Sequence, residues 1–123
     1  MPDRGIVLFA HGARDARWAE PFEQLRTRVQ SQRPDLAVAL AFLEHMRPDL
    51  AQAVRELAAA GVTRARIVPL FFGRGGHLRD DFPHQIARAQ AAAPGVTLDV
   101  TTAAGEDPRV IDALADFALT DIA

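Results

Sequence analysis

Four short apolar runs alternate with stretches in which apolar residues recur at helical spacing, and this alternation limits the folds open to the chain. The runs cover residues 6–10, 36–43, 66–72 and 96–100. Strands and helices that alternate in this way form a parallel sheet with helices on both faces, because each crossover helix returns the chain to the same end of the sheet. The sequence therefore predicts one α/β domain over residues 1–123, a length typical of a single domain.

Proline and aspartate residues place the predicted helices. The first helix should end before Pro34, and Pro48 suits the first position of the second. Asp81 suits the N-cap of the third helix, and Asp107 with Pro108 suits the start of the fourth. The apolar faces expected to pack on the sheet are Trp18, Phe22, Leu25 and Val29 in the first helix, Phe82, Ile86 and Ala89 or Ala93 in the third, and Ile111, Leu114 and Ala118, with Val110 and Phe117 alongside, in the fourth.

Composition excludes several classes of protein and of site. The net charge is −2 and all 14 basic residues are arginine, so no basic excess indicates a nucleic-acid partner. The absence of cysteine excludes thiolate ligands and disulfides. The apolar runs are too short to span a bilayer, and the N-terminal segment lacks the regions of a signal peptide. We therefore expect a cytoplasmic protein with no membrane partner, in which His, Asp, Glu or water would hold any metal.

Two histidines each follow a strand expected to lie at the centre of the sheet. His11 follows the first run, and His77 follows the third run after a glycine-rich bend. In a flavodoxin-like strand order of 2-1-3-4, strands one and three are neighbours at the point where the strand order reverses, and ligands bind there. His11 and His77 should therefore face each other across one crevice. Glu44, which follows the second run, could reach the same crevice.

These residue types suit metal handling and proton transfer. Two neutral imidazoles and a carboxylate suit an ion such as Co²⁺, Ni²⁺, Fe²⁺ or Zn²⁺, and they leave coordination positions open for a metal that is passed on. The same groups can accept protons near neutral pH. The glycines of the two loops, which include Gly12, Gly75 and Gly76, allow a flat or bulky ligand to approach the backbone closely.

The charged residues at this edge leave two interpretations open. Arg14 and Arg74 either belong to a clamp for a polycarboxylate ligand or are solvated loop charges. The remaining histidines are interpreted as surface residues: His45 is expected to point away from the side of Glu44, and His84 to lie early on a helix.

The glycine-rich bend is a weak signal for phosphate binding. It lacks the Lys-Ser/Thr pair of a P-loop and the full spacing of a dinucleotide-binding loop. A phosphoryl-transfer enzyme that uses His11 is therefore disfavoured, and the expected pairing of His11 with His77 also counts against it.

Four motifs together resemble those of the small type II chelatases, the sirohydrochlorin cobalt- or iron-chelatase family. They read HGARD at 11–15, AFLE at 41–44, VPLF at 68–71 and GGHLRDDFP at 75–83. The similarity covers most of the chain, and the coupled motifs are far more specific than any one alone. The chain departs from the family pattern at Ala13, where serine is usual.

The resemblance implies a chelatase-like, three-layer sandwich and the insertion of Co²⁺ or Fe²⁺, with Ni²⁺ as a further candidate, into sirohydrochlorin for cobalamin or sirohaem. The metal is then a substrate, and no cofactor stays bound. Short members of the family pair, so a homodimer is implied. A tetrapyrrole or metal carrier without catalysis on the same fold is the alternative. By resemblance, His11 and His77 handle metal and protons, Glu44 supports them, and Gly12, Arg14, Arg74, Gly75 and Gly76 contact the tetrapyrrole.

Overall fold

Four parallel strands form one sheet in the computed structural model, which describes residues 2–73 and 76–122, without the side chains of residues 76–80. The strand order is β2-β1-β3-β4, and every neighbouring pair is parallel. The parallel pairing confirms the prediction from the alternation of strands and helices, and the order confirms the flavodoxin-like arrangement expected for it. The strands are β1 (Arg4–Ala10), β2 (Ala37–Phe42), β3 (Arg64–Pro69) and β4 (Thr97–Val100).

A helix follows each strand. The helices are α1 (Glu20–Gln32), α2 (Leu50–Ala59), α3 (Gly76–Ala92) and α4 (Pro108–Ala118), and short 3₁₀ turns cover Ala16–Ala19 and Ala104–Glu106. α1 ends before Pro34, as predicted, although Trp18 lies in the first 3₁₀ turn rather than in the helix. The Asp107 side chain accepts a hydrogen bond from the Arg109 amide at 2.8 Å, which confirms the predicted cap of α4.

The start of α2 differs from the prediction. Pro48 is not the first helical residue; it follows a cis peptide bond after Arg47 and lies outside the helix. Asp49 is the N-cap instead. Its carboxylate accepts a hydrogen bond from the Gln52 amide at 2.8 Å, and the Asp49 amide donates to the Gln52 side chain at 3.1 Å. This reciprocal capping box satisfies two backbone amides at the helix start. A proline at the first position would only remove one amide and would provide no acceptor for the others.

The start of α3 also differs from the prediction. The helix begins at Gly76 and contains Pro83, so Asp81 lies inside it rather than at its N-cap. Proline normally ends a helix because it removes one backbone donor. Here its neighbour Phe82 is buried in the core, and this packing holds the helix through the proline.

The core has two parts, one on each face of the sheet. Alternate residues of a strand point to opposite faces, so Val7 and Phe9 lie on the face covered by α2 and α3, and Leu8 and Ala10 on the face covered by α1. The predicted inner face of α3 is confirmed: the larger cluster contains Phe82, Ile86 and Ala89 of the helix, and Ala93, which directly follows it.

Pro69 fits its strand without a bulge. It is the last residue of β3, and the next amide, that of Leu70, donates to the Phe9 carbonyl at 2.8 Å. Since alternate residues donate to opposite sides, the nitrogen of Pro69 faces the β4 side, beyond the last paired residue, Ile67. The missing donor therefore breaks no bond of the sheet.

α4 departs most from the packing expected of the helices; in α1, Leu25 of the predicted face is also exposed, by 36%. Ile111 and Leu114 are 42% exposed and Phe117 is 77% exposed. Among the described residues, none from α4 belongs to either core cluster. The prediction that this helix packs its apolar face on the sheet is wrong for the single chain.

Across the described segments, no helix has both the length and the apolar character needed to cross a membrane.

Candidate functional site

The loops after the central strands meet at the carboxyl edge of the sheet. His11 directly follows β1, Glu44 lies two residues after β2, and His77 is the second residue of α3, which follows β3. The backbone therefore places all three predicted residues at the edge where the strand order reverses. The side chain of His77 lies outside the described residues, as do Arg74 and Gly75, so the pairing of His77 with His11 stays a prediction.

The loops after β1 and β2 are joined through their backbones. The Leu43 amide donates to the Ala10 carbonyl at 2.9 Å, and the Glu44 amide donates to the His11 carbonyl at 3.1 Å. Gly12 has φ 96°, and a Cβ atom there would lie 1.9 Å from the Glu44 carbonyl oxygen. Only glycine permits this close approach, which fixes the position of Glu44 relative to His11.

His11 and Glu44 lie in contact at this edge of the sheet. His11 Nε2 lies 3.3 Å from Glu44 Oε1, and the two side chains are 49% and 45% exposed. The prediction that Glu44 reaches the site of His11 is confirmed. Because the pair is half-exposed, a ligand can reach it from solvent, while the carboxylate can orient the imidazole and accept a proton from it.

His45 is the residue that the sequence reasoning missed. Its Nε2 lies 3.8 Å from the same oxygen of Glu44, so the prediction that it points to the opposite side is wrong. The backbone of His45 has φ 65°, in the left-handed region, and this conformation directs the side chain toward Glu44. Simple alternation of side chains after a strand does not foresee such a turn. By contrast, His84 is exposed on α3, as expected.

Phe71 supports His11 from the loop after β3. The centroids of the two rings lie 6.1 Å apart in an edge-to-face arrangement. Phe71 is buried and packs edge-to-face on Phe9 at 5.7 Å and on Phe82 at 6.0 Å. The ring of His11 therefore rests on the core, which limits its movement. The next residue, Phe72, is 68% exposed.

The two arginines of the first loop, Arg14 and Arg17, differ in their ion pairs. Arg17 is bound to Asp15, with Nη2 2.8 Å from Oδ2, whereas none of the described side chains forms an ion pair with Arg14. Arg14 is exposed, so an anionic ligand in solvent can reach it. The main cause of a raised pKa for Arg17 is its hydrogen bond with the Asp15 side chain.

A preformed metal site with three ligands is not seen among the described side chains: no group of three or more His, Asp or Glu residues there is arranged to hold an ion. His11 and Glu44 are the two described members of the predicted set.

The strand order, the joined loops and the His11–Glu44 pair can be compared with known proteins. The family model CbiX matches residues 5–119. The chain belongs to the CbiX family. A CbiX protein from Marinobacter aquaeolei VT8 has a similar structure, with a TM-score of 0.82 and 36% identity, covering 94% of this chain and 93% of that one.

Two curated relatives are named sirohydrochlorin cobaltochelatase. The protein of Sulfurisphaera tokodaii is 29% identical over 110 residues, which cover 89% of this chain and 87% of the relative. The protein of Methanothermobacter thermautotrophicus is 34% identical over 83 residues, which cover 68% of this chain and 57% of the relative. This chain thus aligns with little more than half of the Methanothermobacter protein.

The fold also matches that of a longer protein. The sirohydrochlorin chelatase SirB from Bacillus subtilis subspecies spizizenii, in complex with cobalt, has a TM-score of 0.73 at 23% identity. The match covers 93% of this chain and 49% of SirB. At this identity the likeness concerns the fold alone, and this CbiX chain corresponds to one half of the SirB chain.

Proposed function

We propose that this CbiX protein inserts Co²⁺ or Fe²⁺, with Ni²⁺ as a further candidate, into sirohydrochlorin for cobalamin or sirohaem synthesis. The observation that carries the proposal is the His11–Glu44 pair, held at 3.3 Å on the open carboxyl edge of the sheet. The support from relatives is that the two described above are named for this activity.

Metal insertion makes two demands on the protein. The divalent ion must lose its water, and two pyrrole N–H groups must lose their protons, so that the neutral macrocycle and the ion give the metal complex and two protons. A neutral imidazole can bind such an ion or accept such a proton. We assign these tasks to His11 and, on the opposite side of the crevice, to His77.

Glu44 supports His11 in this scheme. Its Oε1 is 3.3 Å from His11 Nε2, so it can stabilise the imidazolium that forms when His11 takes a pyrrole proton. Its 45% exposure then lets the proton pass to solvent. His45, whose Nε2 is 3.8 Å from the same oxygen, is a second route for that proton.

The openness of the site suits a large, flat substrate. The first loop approaches the second at Gly12, and an exposed aromatic residue, Phe72, lies in the loop after β3. Sirohydrochlorin carries eight carboxylates, and Arg14 is an available cation at this edge. We therefore assign substrate binding to Gly12 and Arg14, and, in the segment that precedes His77, to Arg74, Gly75 and Gly76.

We further infer a cytoplasmic homodimer in which the metal is a substrate and no cofactor remains bound. Support for the dimer comes from the match with one half of SirB, because two copies of this fold unit would fill a chain of that length.

The test is the absorbance change of sirohydrochlorin on metal insertion, followed with Co²⁺, Fe²⁺ and Ni²⁺. Glu44→Gln keeps the shape of the side chain and removes its charge, and we expect the rate with the preferred metal to fall about 10²-fold, within the range of general acid–base catalysis. His84→Ala, on the exposed side of α3, is the matched control and should retain the wild-type rate.

Two outcomes would contradict the proposal. Binding of tetrapyrrole or metal with no turnover for any of the three ions would identify a carrier. Equal rates for wild type and Glu44→Gln would remove Glu44 from the mechanism.

A further inference from the structure

The C-terminal helix presents an apolar face that the single chain leaves open. Ile111, Leu114 and Phe117 lie at helical spacing on α4 and are 42%, 42% and 77% exposed. Leu119 and Ile122, which follow the helix, are 67% and 70% exposed. Monomeric proteins rarely expose so continuous an apolar surface, so this face indicates an interface.

The sheet leaves a complementary surface open. On the face that carries α1, the helix packs over β2 and β1, and no helix among the described residues covers β3 and β4. The open surface holds a groove of about 370 Å³ beside the end of α1, lined by residues that include Ile6, Arg64, Arg66 and Asp99. Val68, near the end of β3, and Leu70, directly after the strand, are only partly buried on the same face. We call this surface the open half-face.

The two surfaces also differ in charge. Residues 106–122 contain five acidic residues and one arginine. The open half-face carries Arg4, Arg64 and Arg66, and among the described side chains only Asp99 is paired with one of them, Arg66, at 3.2 Å. Opposite net charges steer two such surfaces together and disfavour the pairing of acidic α4 with a second α4.

Among the described residues, α4 does not pack on the open half-face of its own chain. The 3₁₀ turn before the helix is fixed at the carboxyl edge, where the Gly105 amide donates to the Phe71 carbonyl at 2.9 Å. A Cβ atom at Gly105 would lie 1.8 Å from the Phe72 carbonyl oxygen, so the two segments are in direct contact. Beyond this anchor, no α4 residue belongs to either core cluster in the part of the chain that the structure describes.

We propose that α4 of each chain packs on the open half-face of a second copy, so that two chains exchange their C-terminal helices. This deepens the homodimer inferred under the proposed function and assigns its contact surface. The apolar side chains of the helix cover Val68 and Leu70 and the stems of Arg64 and Arg66, whose guanidinium groups reach solvent at its edges.

Buried area favours exchange over a simple helix pair. A helix of 11 residues is about 16 Å long and, with one face buried, removes on the order of 300 Å² from each surface in contact. Pairing α4 with α4 would bury about 600 Å², below the roughly 1,000 Å² expected of a specific interface. Two reciprocal contacts bury about 1,200 Å², which reaches that size.

The first test measures the mass of the chain in solution by light scattering or sedimentation, without substrate. Wild type should have twice the 13.4 kDa mass of the chain. Leu114→Asp places a charge on the apolar face and should give the mass of one chain, while Asp112→Ala on the polar face of α4 should leave the dimer intact. A wild-type monomer, or a Leu114→Asp dimer, overturns the proposal.

The second test locates the contact by cysteine cross-linking. The chain has no cysteine of its own, so only the introduced cysteines react. Leu114→Cys and Arg66→Cys proteins are mixed and treated with a short bismaleimide. Exchange predicts a covalent dimer in the mixture and little in either protein alone. Efficient self-linking of Leu114→Cys would show that α4 pairs with α4. In a chain that carries both cysteines, a link formed only within one chain would show that α4 packs on its own sheet. Either result overturns the proposal.

Both tests are independent of catalysis. The mass and the cross-link are read without metal or tetrapyrrole, so their failure leaves the test of Glu44→Gln untouched, and a failed metal insertion leaves the dimer result valid.

Discussion

Gly12 sets the geometry of the site at the scale of single residues. Its φ of 96° and the 1.9 Å that would separate a Cβ atom from the Glu44 carbonyl oxygen leave no space for a side chain. The loops of His11 and Glu44 can therefore touch only because this residue is glycine. The sequence predicted Gly12 as a point of close approach to a ligand, and the structure shows a close approach to the neighbouring loop.

Substituting Gly12 by alanine should thus affect both stability and activity. We expect Gly12→Ala to lower the free energy of unfolding by at least about 1–2 kcal/mol, the cost of a left-handed alanine, and to displace Glu44. Urea unfolding and the metal-insertion rate measure the two effects. Gly95→Ala is the matched control, because nothing lies within 4 Å of its Cβ position, and it should leave both values near those of wild type. An unchanged unfolding midpoint for Gly12→Ala would contradict this account.

His45 and Phe71 show what residue-level reasoning from sequence misses. A positive φ at His45 turns its side chain toward Glu44, and no local sequence pattern predicts a positive φ at this residue. Phe71 was placed in the third strand, whereas it lies beyond it and supports the ring of His11 at 6.1 Å. Both are consequences of loop geometry, which the apolar pattern of a strand does not contain.

At the scale of elements, the helix boundaries depend on competing local interactions: side-chain caps, proline and core packing. Asp107 caps α4 as predicted because its carboxylate accepts from the Arg109 amide, whereas the neighbouring Glu106 carboxylate accepts from the Ala103 amide before it. At the start of α2, the capping box of Asp49 sets the first helical residue, and Pro48 lies before it. In α3, the burial of Phe82 outweighs the helix-breaking tendency of Pro83. Propensity alone does not rank such terms, since tertiary packing overrides it.

The cap of α4 also responds to pH. The hydrogen bond from the Arg109 side chain, followed by that from its amide, lowers the pKa of Asp107 to about 2. Because this value is depressed relative to the unfolded chain, the cap stabilises the start of α4 above about pH 4, and this stabilisation is lost as the pH falls toward 2.

A carboxyl NMR titration measures this effect. We expect Arg109→Ala to raise the pKa of Asp107 toward the ordinary value. Asp35, whose pKa is lowered to about 2 mainly by the side-chain hydrogen bond of Arg33, is the internal control and should not change. A pKa of Asp107 that is the same in wild type and Arg109→Ala would remove the guanidinium as the cause.

At the scale of the whole molecule, topology was the most predictable property. The alternation of strands and helices predicted the parallel sheet, and the flavodoxin-like order adopted for it matches the observed order β2-β1-β3-β4. That order brings the segments of His11, Glu44 and His77 to one edge. What the sequence did not reveal is where α4 packs. Its apolar face was read correctly, but an amphipathic helix indicates only that it has a partner surface, which can belong to another chain.

The central claim is that His11 and His77 act on the metal and the macrocycle as one unit. The measurement that tests it most directly is a double-mutant cycle on the metal-insertion rate with Co²⁺ and sirohydrochlorin, using His11→Ala, His77→Ala and both together. Residues that act as a unit are strongly non-additive, so we predict that the double variant is no more than a few-fold slower than the slower single variant. Losses that multiply, or a His77→Ala protein as fast as wild type, would contradict the account.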